Sequence, residues 1–544
     1  MKNAIISVSD KTHVLEISNF LLKNNYNIYS TGGTYNHIVN SVENIYKDNI
    51  INIPDLTQFP EILGGRVKTL HPRIYGGILA DIDNTDHIKD INTHNLPLFS
   101  VVIVNLYFFE KNNCVENIDI GGVSLIRAAS KNYKHITILT NPNQYNTFIE
   151  NYTKFDINYR KNLAFEGFKH TSNYDSLICN FLNPNNSSYS LKYGFNPHQT
   201  PCNLEIMNGQ PFNIINGVLG YINVLDFLHG WLTVYEIDTI VNLPTFISMK
   251  HTSPAGLGVG NTITQETLDI FGVNRNINEL TQCEIAFIKS RNGDPLSSFG
   301  DFICCSSIVD VETARLIKRE VCDGIAATGY TKEALEILKQ KKNGKFIIVE
   351  MNSNYYKEMC EKGWLESKEL YGVKITQPYN NFIMDNSYTI DEIIAYTVLK
   401  YSQSNNISMV YNGQLIGIGC GQQNRVACVE LAGNKANKWK CRHHPKTISY
   451  YKSLDSSLKR QEKVNKVYDF ISENKLDDNG EQNINITMGS DGFFPFVDNI
   501  ILANIYGVKN ILQPGGSIMD AEVEKTCKNF NISIKNINTR MFYH

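Results

Sequence analysis

An α/β fold is predicted for the chain from three observations. Short apolar runs end in polar or glycine-rich loops, and stretches with helical apolar spacing follow them. The side chains best suited to chemistry stand just past the ends of those runs, where α/β folds place their sites. The alternation persists through residues 311–321, 391–401 and 521–530, so the first third and the remainder share one class.

Size and charge bound what the chain does. At 544 residues it exceeds what one core fills and divides into about three or four domain-sized units. Acidic and basic residues nearly cancel, 54 against 51, so no positive field recommends nucleic acid and the implied partner is a small molecule. The first ten residues hold too short an apolar run for a signal peptide, and residues 98–109 are too short to span a bilayer. A cytoplasmic protein without a membrane partner is the expectation. Twelve cysteines include no C-x-x-C pair, and Cys304-Cys305 falls in a predicted strand, so reduced and mostly buried thiols are expected.

The first elements read as a parallel sheet. Ala4-Ile-Ile-Ser-Val8 is a strand, Ser9-Asp10-Lys11-Thr12 a polar turn, and residues 13–24 a helix with apolar positions Val14, Ile17, Phe20 and Leu21. Tyr26-Asn-Ile-Tyr29 then runs into Ser30-Thr31-Gly32-Gly33-Thr34 and a helix over 35–42. Two glycines between hydroxyls let backbone amides approach an anion, and the following helix start adds a favourable dipole, so a phosphate suits this loop. Gly64-Gly-Arg66-Val-Lys68-Thr69-Leu-His71-Pro72 gathers cations suited to a phosphorylated substrate. Val101-Val-Ile-Val-Asn105-Leu106 is a central strand ending at Asn105, with Tyr107 just beyond. Asp119-Ile120-Gly-Gly122 precedes a helix over 123–130 that Lys131 closes, a place a lysine also takes for the helix dipole alone.

A polar, turn-forming stretch at 183–190 sets the boundary to the remaining two thirds. There Pro244-Thr-Phe-Ile-Ser-Met-Lys250-His251 reads as a buried strand that delivers two reactive groups into a loop. A histidine takes and returns a proton near neutral pH, while an ammonium stabilises developing negative charge; acylation of an amine needs both. Alone, the pair also fits a strand ending in two solvated residues. An internal duplication is read from Gly293–Asp301 against Gly489–Asp498, and from Ala-Ala-Thr-Gly329 against Gln-Pro-Gly-Gly516.

The motifs at 7–12, 30–34, 64–72 and 119–122, in that order, resemble the inosine monophosphate cyclohydrolase domain. Lys-Tyr-Gly-Phe-Asn-Pro-His-Gln at 192–199, Lys-His-Thr-Ser-Pro-Ala-Gly at 250–256, Gly-Gln-Gln-Asn-Arg at 421–425 and Arg540-Met-Phe-Tyr-His544 resemble the aminoimidazole carboxamide ribonucleotide transformylase domain. The resemblance implies a methylglyoxal synthase-like doubly wound sheet over 1–186. It also implies two cytidine deaminase-like lobes over 192–544, divided near 360, without zinc because no H-x-E followed by P-C-x-x-C exists. Two activities follow: formyl transfer from 10-formyltetrahydrofolate, then ring closure to inosine monophosphate, neither with a metal.

Site residues carry over by position. The resemblance gives Lys68, Tyr107, Asp119 and Lys131 the catalysis of ring closure, and Ser9, Asp10, Lys11, Thr31, Gly32, Gly33, Thr34, Arg66, Thr69, Asn105, Leu106 and Ile120 the nucleotide. For formyl transfer it implies His251 as proton acceptor and Lys250 as charge stabiliser. Lys192, Tyr193, Asn223, Gly300, Asp323, Phe493 and Arg540 would lie at the nucleotide; Asn412, Arg425, Asp498, Ser517 and Ile518 at the folate. Four positions depart from the pattern: Lys192 for arginine, Phe108 for proline, Val497 for arginine and Tyr543 for histidine. A homodimer with shared transformylase sites is also implied. A chain with one live activity, or a purine-nucleotide sensor without catalysis, would fit parts of the same sequence.

Overall fold

The computed structural model describes residues 2–109, 114–152, 154, 156–182, 188–207, 209–476 and 484–544. The chain separates into two compact units, Met1–Asn186 and Ser187–His544. The segment 183–187, which the sequence marks as the boundary, lies outside the described residues.

The first unit is built on five parallel strands: β1 (Lys2–Val8), β2 (Tyr26–Ser30), β3 (Ile50–Asn52), β4 (Phe99–Asn105) and β5 (Thr137–Leu139), in the order β3-β2-β1-β4-β5. Their runs of Ile and Val are buried, as strands covered on both faces require: Ile5, Ile6, Ile28, Val102 and Ile103 have no exposed surface. The order turns back on itself between β1 and β4, which opens a crevice beyond Val8 and Asn105. The helix after β1, Val14–Lys23, buries Val14, Ile17 and Leu21 on one face, as its spacing predicts. The next helix differs from expectation. It spans Gly32–Val39, so the glycine pair opens the helix instead of preceding it.

The second unit carries two small hairpins and one large mixed sheet. The hairpins are β6 (Ser188–Leu191) with β7 (Cys202–Glu205), and, later, β14 (Leu365–Leu370) with β15 (Val373–Pro378). The sheet contains β8 (Phe212–Asn216), β9 (Thr245–Lys250), β10 (Ser253–Val259), β11 (Asp301–Val309), β12 (Cys322–Tyr330), β13 (Ile347–Met351), β16 (Ile407–Tyr411), β17 (Gln414–Gly419), β18 (Ile486–Ser490), β19 (Val508–Gln513) and β20 (Ser533–Asn536). Their order is β20-β19-β18-β16-β17-β10-β9-β11-β12-β13-β8.

That order contains the same motif twice. In each half a tight antiparallel hairpin, β9-β10 or β16-β17, is followed by three strands parallel in their own set, and the two hairpins pair through β10 and β17. Glycines allow the helices to press onto those central strands. A Cβ on Gly256 would stand 2.2 Å from the Ser290 carbonyl, and one on Gly417 would stand 2.2 Å from the Ala432 carbonyl. The true repeat therefore aligns Gly256-Leu-Gly258 with Gly417-Ile-Gly419. The register read from sequence is half right. Gly329 and Gln513 close equivalent strands, β12 and β19, but Gly293–Asp301 leads into β11 whereas Gly489–Asp498 leads out of β18. Cys304 and Cys305 are buried in β11, and neither they nor the other cysteines form a disulfide.

Candidate functional sites

In the first unit the crevice beyond β1 and β4 collects the polar residues. Asn105 Oδ1 accepts from the amides of Ser9 at 2.7 Å and Asp10 at 2.9 Å, while its Nδ2 donates to the Asp10 carbonyl at 2.9 Å. Asp10 in turn accepts from Thr12, and Thr34 Oγ1 donates to the Val8 carbonyl at 2.9 Å. Thr31 is the residue before the helix that begins at Gly32, and its carbonyl accepts from the Thr34 and Tyr35 amides. Two ammonium groups stand over its start: Lys68 Nζ is 3.6 Å from where a Gly32 Cβ would lie, and Lys11 Nζ is 4.0 Å from a Gly33 Cβ. Gly32 itself has φ of 44°, so a side chain there would be strained. Two cations over a helix start are an arrangement that can take an anion, with the Glu61 carboxylate 3.8 Å from the same Gly32 Cβ position.

Asp119 faces the same crevice. Its Oδ1 accepts from the Gly122 amide at 2.7 Å, and its own amide donates to Tyr174 Oη at 3.0 Å. Burial raises the Asp119 carboxyl above the ordinary range, against the pull of the Gly122 and Tyr107 amides and the Lys68 charge. Thr69 Oγ1 lies 3.0 Å from a Gly121 Cβ, and Leu106 packs against Gly122. Tyr107 and Ile120 are exposed at the rim. Tyr174 and Glu61, the carboxylate 3.9 Å from Lys68, are partners that no motif marks.

Two expected members stand elsewhere. Arg66 is spent on an exposed ion pair with Glu116. Lys131 closes the helix Gly121–Lys131, so it lies ~15 Å from the Asp119 end at 1.5 Å per residue. It lines a separate cavity with Arg127, Phe165 and Phe168. A lysine fixed at a helix carboxyl end is stabilised there by the dipole, and in this chain that is where its charge is placed.

In the second unit Lys250 and His251 sit on a turn, not on a loop beyond a parallel strand. His251 and Thr252 alone join β9 to β10, with φ of 52° and 58°. Such turns favour Asn-Gly; two residues with side chains, one β-branched, hold a strained backbone there. Asp226 holds it. Its Oδ1 accepts from the Thr252 amide at 2.7 Å, and Lys250 Nζ donates to the Phe299 carbonyl at 2.5 Å, next to Gly300. Asp323 adds charge near Asp226 while pairing with Lys342 at 2.6 Å. Asn223 Oδ1 accepts from the Gly220 amide at 3.1 Å, and the Lys192 amide donates to Leu219, which brings Lys192 and Tyr193 beside that helix start.

Asp226 is the residue that sequence reading missed; it lies inside the helix Tyr221–Val241 with no motif around it. Burial, with Asp301 and Asp323 nearby, pushes its carboxyl up to about 7 against the pull of the Thr252 amide. The folded value exceeds the unfolded one, near 3.9, so ionisation costs stability. That cost is absent below about pH 4, grows by roughly 1.4 kcal/mol per pH unit to about pH 7, and is constant above. Asp226→Asn keeps an acceptor for Thr252 without the charge. Its melting temperature should gain on the parent between pH 4 and pH 7 and then run level; a pH-independent difference would refute this account.

A second group lies on the same edge of the sheet, past the ends of β17, β18 and β19. Arg425 forms a buried ion pair with Asp491 and donates to Ser490 and Asn405, each at 2.9 Å. The Met541 amide donates to the Asp491 carbonyl at 3.0 Å, which brings in Arg540, stacked on Phe542 at 4.4 Å. Phe493 is exposed, and Ile518 fully so; Ser517 and Gly516 direct their amides at Asp520. Asp498 opens the helix Asp498–Ile505 and accepts from the Asn499 amide at 2.8 Å. Tyr543, one of the departures, donates to or accepts from His229 Nε2 at 2.7 Å.

Asn412 does not belong to this group. With Gly413 it forms the turn of the second hairpin, whose Gly413 carbonyl meets the Val259 amide, ~20 Å along β10 from His251. Three of its polar atoms bond within the chain: the amide to Asp391, Oδ1 to Thr262, the carbonyl to Lys289. Asn405, which sequence reading passed over, is the asparagine beside Arg425.

A parallel-sheet unit with an anion cradle, joined to a duplicated unit that presents a lysine and histidine on a clamped turn, defines a two-site enzyme acting on anionic small molecules. Comparison with known proteins gives the particular class. Residues 13–133 match the MGS-like domain, and residues 129–435 match the AICARFT/IMPCHase bienzyme. A bifunctional purine biosynthesis protein PurH from Prochlorococcus marinus subsp. pastoris is 33% identical over 587 residues, covering 99% of each chain, and one from Prochlorococcus marinus strain MIT 9312 is 32% identical with equal coverage. A solved structure described as that of ForH covers 33% of this chain and 96% of its own at 26% identity, with a TM-score of 0.31. The chain belongs to the PurH family of bifunctional enzymes, with aminoimidazole carboxamide ribonucleotide transformylase and inosine monophosphate cyclohydrolase activities. No helix among the described residues is long and apolar enough to cross a membrane.

Proposed function

We propose that the two reactions are divided between the units, ring closure in Met1–Asn186 and formyl transfer in Ser187–His544. The observation that carries this is the difference between the two hairpin turns: the repeated fold places Lys250-His251 on one and a structurally committed Asn412-Gly413 on the other. In formyl transfer the exocyclic amine of the ribonucleotide attacks the formyl carbon of 10-formyltetrahydrofolate. His251 takes the amine proton, Lys250 stabilises the charge on the tetrahedral oxygen, and the folate nitrogen leaves protonated. In ring closure the carboxamide nitrogen attacks the new formyl carbon and water is lost. Lys11, Lys68, Gly32, Gly33 and Asn105 hold the nucleotide, while Asp119, Tyr107 and Lys68 move protons and polarise the carbonyl. Side chains supply the proton acceptors and the cations in both steps, so neither needs a metal. We read the duplicated halves as cytidine deaminase-like lobes without zinc, supported by their repeated strand order and the missing zinc motif. The setting is read as the cytoplasm, where the folate and nucleotide substrates are.

The working unit is a homodimer in this reading. Lys250-His251 and the Arg425-Asp491 group lie on one sheet edge but past strands two to four spacings apart, ~10–19 Å. A second chain would bring one set against the other. The hairpin β14-β15 supports it: paired with no other strand among the described residues, it exposes Leu365, Leu370, Val373 and Ile375, and an isolated two-stranded hairpin is marginal in water. The test mixes His251→Ala with Arg425→Gln, each inactive in formyl transfer alone. Random exchange should restore roughly a quarter of parental activity, one intact site in half of the dimers. No recovery after proven exchange would place the site within one chain.

A further inference from the structure

His170 stands on the helix Ile157–Leu182 of the first unit, and no motif draws it into either site. It lines a cavity of about 470 Å³ whose walls include Asp10, Asn105, Tyr107, Asn141 and Tyr174. Asp10, Asn105 and Tyr107 are positions that the resemblance gives to ring closure, so this cavity belongs to the crevice beyond β1 and β4. The His170 Nε2 is buried and, among the described residues, has no hydrogen-bond partner. An imidazole nitrogen left bare in that way is unfavourable, and an apolar side chain would fill the space without the cost. A ligand that meets the nitrogen accounts for it.

The same helix is tied to Asp119. Tyr174, four residues on and about 6 Å away on the same helix face, accepts from the Asp119 amide at 3.0 Å and donates to the Asn117 carbonyl at 2.7 Å. The face that carries His170 therefore also fixes the Asp119 loop. The neighbouring polar walls bond within the chain: Asp10 accepts from the Thr12 amide at 2.9 Å, Asn105 bonds to Ser9 and Asp10, and Asn141 accepts from the Asn143 amide at 2.9 Å. Burial pulls His170 below its ordinary value, so the ring is neutral near pH 7 and, once protonated, gives the proton up readily.

We propose that His170 is a further catalytic residue of ring closure, its Nε2 meeting the carboxamide nitrogen of the formylated ribonucleotide in this cavity and carrying a proton from that nitrogen to the oxygen that leaves. This rests on the ring-closure reading above for the first unit. As the carboxamide nitrogen bonds to the formyl carbon, Nε2 takes one of its protons and passes it to the former formyl oxygen. The bond from carbon to that oxygen then breaks, a double bond forms to the formamido nitrogen, and the proton lost there completes the water. Neutral histidine is regenerated, and no other reactant is consumed.

The experiment uses the full chain: the parent, His170→Gln and His170→Ala, with Lys68→Ala as the control on the underlying reading. Each is assayed for ring closure of supplied formylated intermediate, for formyl transfer and for melting temperature. Both His170 variants should lose about a hundredfold in ring-closure kcat with KM within about threefold of the parent, while formyl transfer and melting temperature stay parental. Added imidazole should raise ring closure about tenfold in His170→Ala, where the missing ring leaves space open to the cavity, and should not help Lys68→Ala. Ring closure within about twofold of the parent in either His170 variant, in a chain whose Lys68→Ala variant is inactive, would overturn the proposal. A loss that imidazole does not relieve, or that appears as a raised KM at unchanged kcat, would also overturn it, since a packing or binding residue gives that result. Full ring closure in Lys68→Ala and in both His170 variants would instead defeat the ring-closure reading of the first unit.

Discussion

His251→Ala lowers formyl transfer by about a hundredfold or more while ring closure of supplied formylated intermediate stays at the parental rate. The size is that expected for loss of a general base. The separation follows from the fold, since His251 stands on the turn between β9 and β10 in the second unit and the anion cradle of Lys11 and Lys68 is in the first. Because His251 has φ of 52°, its replacement also relaxes little strain, and the turn remains held by Asp226 through the Thr252 amide. Melting temperature should therefore change little. Two assays on one purified variant check the claim; equal loss of both activities in a folded protein would sink it.

What the sequence made legible, and what it hid, differ for physical reasons. The parallel strands of the first unit were readable because buried Ile and Val runs ending in polar loops report directly on a sheet covered on both faces. Ser9, Lys11, Gly32, Gly33, Asn105 and Asp119 converge because each follows a strand end or opens a helix, positions that local patterns mark. Lys131 was misleading for the same reason. It belongs to the right helix, but a helix has two ends, and no local pattern reports ~15 Å of separation.

In the second unit the reactive pair was legible and its setting was not. The stretch after Lys250-His251 read as a loop, yet Ser253–Val259 is β10, where Gly256 and Gly258 admit a helix at close range. Asp226 and Asn405 were invisible because each acts on a partner distant in sequence, Thr252 and Arg425. Asn412 came from its matching position, and only the duplication shows it to stand on the counterpart of the His251 turn. Seeing Gly-x-Gly at both 256–258 and 417–419 would have revealed the repeat.

Lys68→Ala should reverse the His251 pattern, with ring closure reduced about a hundredfold or more and formyl transfer unchanged. Two roles fall on this one ammonium. It stands 3.6 Å from a Gly32 Cβ position, over the amides that open the helix Gly32–Val39, and its charge holds down the buried Asp119 carboxyl. Removing it weakens the phosphate cradle, which leaves Lys11 as the remaining ammonium there, and raises Asp119 further. The sign of the second effect is fixed. A base whose proton is held more tightly is unprotonated over a narrower range, so the acid limb of the ring-closure pH profile should move to higher pH in the variant. Lys68→Arg separates the two roles, because a guanidinium restores the charge near Asp119 without the compact geometry over Gly32. Its acid limb should return toward the parental position while the KM for the nucleotide stays raised. Normal ring closure in Lys68→Ala, measured on the isolated formylated intermediate, would mean that the loop at 64–72 does not serve this reaction.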